Sequence, residues 1–173
     1  TNGETTIKAK KSRDHSELLF KYLGLPIRVN KKKNYDLIKI KGRKEIPAIN
    51  YKIPSDISSS SFFIVLTALS KNSKLKIKNI NINPSRTGVL SILKMMKVKI
   101  KRVNVRIYKG ERVADLVVQS SRKFKSINCP VRFNSAAIDE FLLIFLVAAK
   151  AEGISYFKNL SELNEKESPR LKW

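Results

Sequence analysis

A repeat of roughly 75 residues restricts the folds open to this chain more than any other feature. The stretch "SRDHSELLFKYLGLPIRV" (Ser12 to Val29) has a counterpart in "SRTGVLSILKMMKVKIKRV" (Ser85 to Val103). Each opens on Ser-Arg, runs through a helical apolar pattern and enters a strand. "SDISSSSFFIVLTALSKNSKLKIKNI" likewise matches "NSAAIDEFLLIFLVAAKAEGISYFKNL", and "YDLIKIKGRKEI" matches "VADLVVQSSRKFKSI". The order within a unit reads strand, helix, strand, helix, strand, strand, which makes the chain an α/β (α+β) protein of repeated βαβαββ units. On this spacing Lys166 to Trp173 begins a third copy of the Ser-Arg helix. The chain is therefore expected to be a piece of something longer.

Two kinds of helix alternate. Those at about Ser58 to Leu69 and Ile138 to Ala151 are apolar nearly all round and are expected to be buried. Those at about Asp14 to Leu23 and Thr87 to Met96 are amphipathic. The strands carry charge at every second position, so their sheets should show one face to water. Buried helices inside half-exposed sheets reverse the usual doubly wound arrangement.

Composition narrows the function classes. The formal net charge is +22 over 173 residues, which suggests a nucleic-acid partner. Lysine, however, alternates with Ile or Val throughout, as in "LKIKNI", and alternation assigns it to the wet faces of strands. The one dense run, Lys31 to Lys33, lies between two strand patterns and reads as a solvated turn. No specific nucleic-acid surface is expected. A single Cys129 allows no intrachain disulfide, and with one histidine, His15, a His/Cys metal cluster is not expected. The longest apolar run, Phe141 to Ala149, is too short to cross a bilayer.

Polar clusters recur at helix starts: Ser12 to His15, Ser55-Asp56 with Ser58 to Ser61, Asn83 to Thr87, Asn134-Ser135 followed by Asp139-Glu140, and Lys166 to Arg170. Helix N-termini expose unpaired N–H groups and suit phosphates or carboxylates. For Ser55-Asp56 and Asn83 to Ser85, capping is the better reading and anion binding the other. Arg13 and Arg170 oppose the dipole, so each needs an anionic partner, either a nearby carboxylate or a ligand. Asp139 and Glu140 interrupt an apolar helix. They either occupy an exposed first turn or form a positioned acid or base.

With those residues assembled, the chain resembles the 5-enolpyruvylshikimate-3-phosphate synthases of the enolpyruvyl transferase family. The resemblance runs through "KSRDHSELLFKYLG", "IPSDISSSSFFIVLTAL", "NINPSRTGVLSILKMM", "IDEFLLIFLVAAKAEG" and "SELNEKESPRL", five segments in the family's order. It implies an inside-out α/β barrel of two lobes, incomplete here. Residues 1–53 would end one lobe, and residues 54–173 would begin the second with about one and a half units. The implied activity is that of a 3-phosphoshikimate 1-carboxyvinyltransferase of the shikimate pathway. It moves the enolpyruvyl group of phosphoenolpyruvate to the 5-hydroxyl of shikimate 3-phosphate, without cofactor or metal, in a cytoplasmic enzyme that is monomeric when complete and has no membrane partner.

By resemblance, Ser12 and Arg13 would hold shikimate 3-phosphate. Asp139 would contact its hydroxyls and help remove the 5-hydroxyl proton. Lys166 would sit between the substrates, Glu167 would relay a proton at the phosphoenolpyruvate methylene, and Arg170 would grip phosphoenolpyruvate. Asn164 and Pro169 stand where the family usually has Arg and Asp, and Ser55 replaces a common Gly. The family's other substrate-binding segments are missing, so this chain alone is expected to be inactive. The competing reading is a basic anion- or nucleic-acid-binding repeat protein without catalysis, which stoichiometric or sequence-selective binding would favour.

Overall fold

A computed structural model describes residues 2–42, 45–46 and 48–172. Arg43 and Lys44, inside the repeat segment that starts at Tyr35, lie outside the described residues, as do Thr1, Pro47 and Trp173. The chain divides into two compact units: Thr1–Ile53 with Ile107–Arg112, and Pro54–Arg106 with Val113–Trp173.

The first unit is a three-stranded antiparallel sheet with one helix. Strand β1 (Glu4–Lys10) and strand β2 (Ile27–Lys31) both pair with β3 (Tyr35–Lys41), which lies between them. Register sets Ile7 against Ile38 and Val29 against Ile38, so branched apolar residues line one face. Helix α1 (His15–Tyr22) ends because Gly24 adopts φ +67° and lets Leu25 N–H close back on Phe20 O at 2.9 Å. Lys32 and Lys33 form the exposed β2–β3 turn expected from the sequence, and Lys31 reaches Asp14 at 3.4 Å. Residues Ile107–Arg112 add Tyr108, packed on Tyr51 at 5.5 Å between ring centroids, and Glu111, whose buried carboxylate meets His15 Nδ1.

The second unit carries the apolar core. Helix α2 (Ile57–Leu69) leads to β4 (Lys74–Asn81), α3 (Gly88–Met95), β5 (Lys99–Tyr108, in this unit as far as Arg106) and β6 (Glu111–Gln119, in this unit from Val113). β7 (Phe124–Lys125), a 3-10 turn at Val131–Phe133, α4 (Asn134–Ala137), α5 (Phe141–Ala148), β8 (Ala151–Glu152) and a second 3-10 turn at Ser161–Glu165 complete it. β6 is the middle strand of the order β4-β6-β5, and β7 pairs in parallel with β8. Ile64, Ile80, Ile92, Leu93, Leu116, Phe141, Ile144 and Leu163 are fully buried. Each contributes about 1.5 to 3 kcal/mol by leaving water.

The repeat is visible in backbone angles. Asn79 and Asn159 occupy equivalent places and both adopt left-handed φ, at 54° and 58°. Asn79 sits in a register shift of β4 against β6. Its N–H donates to Asp115 Oδ1 at 2.9 Å, while Asn104 Nδ2 donates to Oδ2 at 2.9 Å and Lys76 lies 3.1 Å away. These donors, led by the Asn79 N–H, hold the Asp115 carboxyl at about 2.

Four expectations need correction. First, α2 and α5 are not buried all round. Phe62, Phe63 and Leu66 remain 62%, 59% and 63% exposed, and Leu142 and Leu146 are exposed on α5. Among the described residues only one face of each helix is covered. Second, of the helix expected over Ile138 to Ala151 only Phe141–Ala148 is helical, as α5; α4 ends before that range begins, and Ala151 belongs to β8. Third, β6 does not alternate: Val113 to Leu116 are all buried, with Asp115 enclosed by its bonds to Asn79 and Lys76 of β4 and Asn104 of β5 on either side of the middle strand. Fourth, no α-helix begins at Lys166 among the described residues; the preceding residues form the 3-10 turn. Arg170 N–H closes on Leu163 O at 3.0 Å and Leu171 N–H on Asn164 Oδ1 at 2.9 Å, so these donors hold the segment as a turn and not as a helix.

Candidate active site

The site is assembled from four segments of the second unit. At the start of α2, Asp56 caps the helix: its Oδ2 accepts from Ser59 N–H at 2.8 Å and from Ser59 Oγ at 3.0 Å. Between β4 and α3 the chain turns through two side-chain bonds. Asn81 Oδ1 accepts from Asn83 N–H at 2.8 Å, and Asn83 Oδ1 accepts from Ser85 N–H at 2.9 Å. This turn presents Arg86. Ahead of α5, Asp139 and Glu140 occupy the corner left by α4, with Glu140 N–H bonded to Ala137 O at 3.0 Å. The C-terminal segment is anchored by fully buried Leu163, whose carbonyl accepts from Arg170 N–H at 3.0 Å. Asn164 Oδ1 accepts from Leu171 N–H at 2.9 Å, so the departure at Asn164 has a local holding role.

These segments bring three cations to one carboxylate. Asp139 lies 3.3 Å from Lys166 Nζ, 3.4 Å from Arg86 Nη1 and 4.0 Å from Arg170 Nη1. Arg86 Nη2 also reaches Asp56 at 3.1 Å and Ser58 Oγ at 2.5 Å. Ser58 Oγ donates in turn to Glu140 Oε1. Glu167 bonds Arg170 Nη2 at 2.6 Å.

The environments separate the carboxyls. Burial pushes the Glu140 carboxyl above the usual range, only partly offset by the Ser58 bond and Arg86. Burial acts upward on Asp56 as well, but the Ser59 bonds and Arg86 outweigh it and leave Asp56 low. Glu167 is held low by its own N–H and by the Arg170 bond. Cations and proton-carrying groups thus share one patch, an arrangement suited to binding a polyanion and moving protons on it.

Of the residues singled out from sequence, Asp139, Lys166, Glu167 and Arg170 come together here. Ser12 and Arg13 lie in the first unit, between β1 and α1. Arg170 has carboxylate partners in Asp139 and Glu167, and with no α-helix starting beside it among the described residues there is no dipole for it to oppose. The exposed-first-turn reading fails for Glu140, which is 2% exposed. Sequence reasoning noted Arg86 and Ser58 among the polar residues at helix starts but gave neither a role. The signal for Arg86 was available: it is an arginine beside a helix start, as Arg13 and Arg170 are. Among the described residues no cluster of three or more His, Cys, Asp or Glu is arranged to hold a metal ion, and no helix is long and apolar enough to cross a membrane.

The comparisons with known proteins agree with one another. The sequence model of the EPSP synthase (3-phosphoshikimate 1-carboxyvinyltransferase) family matches residues 1–173. The 3-phosphoshikimate 1-carboxyvinyltransferase of Petrotoga mobilis is 40% identical over 172 residues, which cover 98% of this chain and 39% of that protein. That of Legionella pneumophila is 39% identical over 170 residues, covering 98% and 38%. Among solved structures, EPSP synthase from Acinetobacter baumannii superposes with a TM-score of 0.88 at 36% identity, covering 99% of this chain and 38% of that one. The enolpyruvyl transferase NikO from Streptomyces tendae shares the fold, with a TM-score of 0.62 at 15% identity. The chain therefore spans less than two fifths of the length of the curated relatives it matches.

Proposed function

The chain belongs to the EPSP synthase family, and from that premise we propose that it supplies part of the active site of an enzyme transferring enolpyruvyl from phosphoenolpyruvate to shikimate 3-phosphate. The observation that carries this reading is the grouping of Lys166, Arg86 and Arg170 within 4.0 Å of Asp139. Both substrates are polyanions, and guanidinium groups bind phosphate and carboxylate in a bidentate manner. Residues 1–53 would close one lobe and residues 54–173 open the other. The complete enzyme would be a cytoplasmic monomer.

The reaction is addition followed by elimination. Asp139 orients the shikimate hydroxyls and assists loss of the 5-hydroxyl proton. The 5-oxygen bonds to C2 of phosphoenolpyruvate while C3 gains a proton, giving a tetrahedral ketal. The C2–O bond to phosphate then breaks, C3 gives up a proton, and the enol ether and inorganic phosphate remain. Glu167 relays the proton at C3, Lys166 spans the two substrates, and Arg170 holds phosphoenolpyruvate. Ser12 and Arg13 hold shikimate 3-phosphate. No step requires a metal or an organic cofactor.

The test is phosphate release from phosphoenolpyruvate by a polypeptide of full family length that carries this chain. Release should depend on shikimate 3-phosphate, with the enol ether formed in equal amount. The 173-residue chain alone should show no turnover. Absence of release by the longer protein, or release independent of shikimate 3-phosphate, would contradict the reading.

A further inference from the structure

Arg86 is not among the residues assigned above to either substrate, yet it has the most elaborate setting in the site. Its side chain is only 12% exposed. It is held from three sides: by Asp56 at the cap of α2, by Ser58 in the first turn of α2, and by Asp139 ahead of α5. Its backbone is fixed as well, with its N–H on Asn83 O at 2.9 Å. We propose that Arg86 is a positioning residue, whose guanidinium fork fixes the Asp139 carboxylate on one side and, through Ser58, the Glu140 carboxyl on the other. The inference rests on the reading of Asp139 as the contact to the shikimate hydroxyls.

The other cations facing Asp139 cannot do this work once substrates bind. Lys166 and Arg170 then have ligand phosphate and carboxylate groups to meet, and Arg170 is also shared with Glu167. Arg86, boxed by Asp56 and Ser58, stays. A rigid planar fork serves three acceptors at set angles, which an ammonium on a flexible stem does not. The same fork lies beside the buried Glu140, so loss of its charge also leaves that carboxyl with less compensation.

The experiment compares Arg86→Met and Arg86→Lys with wild type in the polypeptide of full family length. It reads the pH profile of kcat/KM for shikimate 3-phosphate, and the titration of a carbon-13-labelled Glu140 carboxyl. Arg86→Met should lower kcat/KM by about 10- to 100-fold, the range for loss of charge-assisted bonds. It should move the acid limb of the profile to higher pH and raise the Glu140 midpoint further. Arg86→Lys keeps the charge and loses the fork, so it should restore the acid limb while recovering only part of kcat/KM. A wild-type profile in Arg86→Met would overturn the proposal. So would a loss of activity with no movement of the acid limb, or one that Arg86→Lys does not relieve. If Arg86→Met fails to fold, Arg86→Lys decides: wild-type kcat/KM there overturns the role of the fork. If the wild-type polypeptide itself shows no enolpyruvyl transfer, the functional reading fails separately, and an unchanged Glu140 midpoint in Arg86→Met then refutes the positioning role on its own.

Discussion

Replacing Gly88 by alanine tests how tightly the site is tied to the core. Gly88 is the first residue of α3, two positions after Arg86, and it faces α4, which ends two positions before Asp139. A Cβ at Gly88 would lie 2.8 Å from Ala136 C and 2.8 Å from Phe133 O. Both are backbone atoms, so no side chain can rotate to relieve the overlap. The start of α3 and α4 must move apart by several tenths of an ångström. Overpacking of this kind costs about 1 to 3 kcal/mol. Against it stands the better helix propensity of alanine, at most about 1 kcal/mol. The net loss should be about 1 to 2 kcal/mol. With a urea m-value of about 2 kcal/mol/M, the unfolding midpoint should fall by about 0.5 to 1 M. Equilibrium urea unfolding followed by far-ultraviolet circular dichroism measures it, with m unchanged as the sign that only stability has moved. A midpoint equal to or above wild type would show that α3 and α4 separate freely, and would refute the argument that this contact sets the distance between Arg86 and Asp139.

Other outcomes follow from the same structure. Asp115 lies at about 2 in the folded chain against an ordinary 3.8, so it contributes stability that is complete above the ordinary value and is lost as pH falls through the folded one. Asp115→Asn should therefore be less stable at neutral pH and should flatten the loss between about pH 4 and 2, read by acid titration of circular dichroism. Glu140 has the opposite sign: burial raises it, so the folded state holds its proton longer than the unfolded state, and its contribution declines as pH rises above the usual carboxyl range. Glu140→Gln should remove that decline, seen as a flatter curve of thermal midpoint against pH through the mildly acidic range. The outward face of α2 at Phe62 and Leu66 should bind an apolar dye such as anilinonaphthalene sulfonate in the 173-residue chain, and Leu66→Glu should reduce the fluorescence without lowering stability by more than about 0.5 kcal/mol.

Much of this architecture is legible from the residues. The repeat fixes the alternation of helix and strand, and even predicts that Asn79 and Asn159 share a place, which the structure marks with matching left-handed backbones. The amphipathic helices appear where the period places them, as His15–Tyr22 and Gly88–Met95. What escapes the sequence depends on partners. Hydropathy says that Phe62 and Leu66 are apolar, not whether anything in the same chain covers them. The alternation rule fails at β6 because Asp115 is enclosed by groups of both flanking strands, which depends on strand order. Arg86 escaped because a Ser-Arg pair at a turn looks like part of a helix start until two distant carboxylates and a serine are seen around it. Glu140 is similar: its place beside Asp139 is visible, but its burial follows from the break between α4 and α5.

The most direct test of the account is the turnover number of Asp139→Asn in a polypeptide of full family length carrying this chain. Asparagine keeps the size and most of the hydrogen bonding, and removes the charge that gathers Arg86, Lys166 and Arg170. If Asp139 orients the 5-hydroxyl and helps take its proton, kcat for phosphate release should fall by about 10²- to 10⁴-fold while the protein stays folded. A kcat within a few-fold of wild type would contradict the claim that this cluster performs the chemistry.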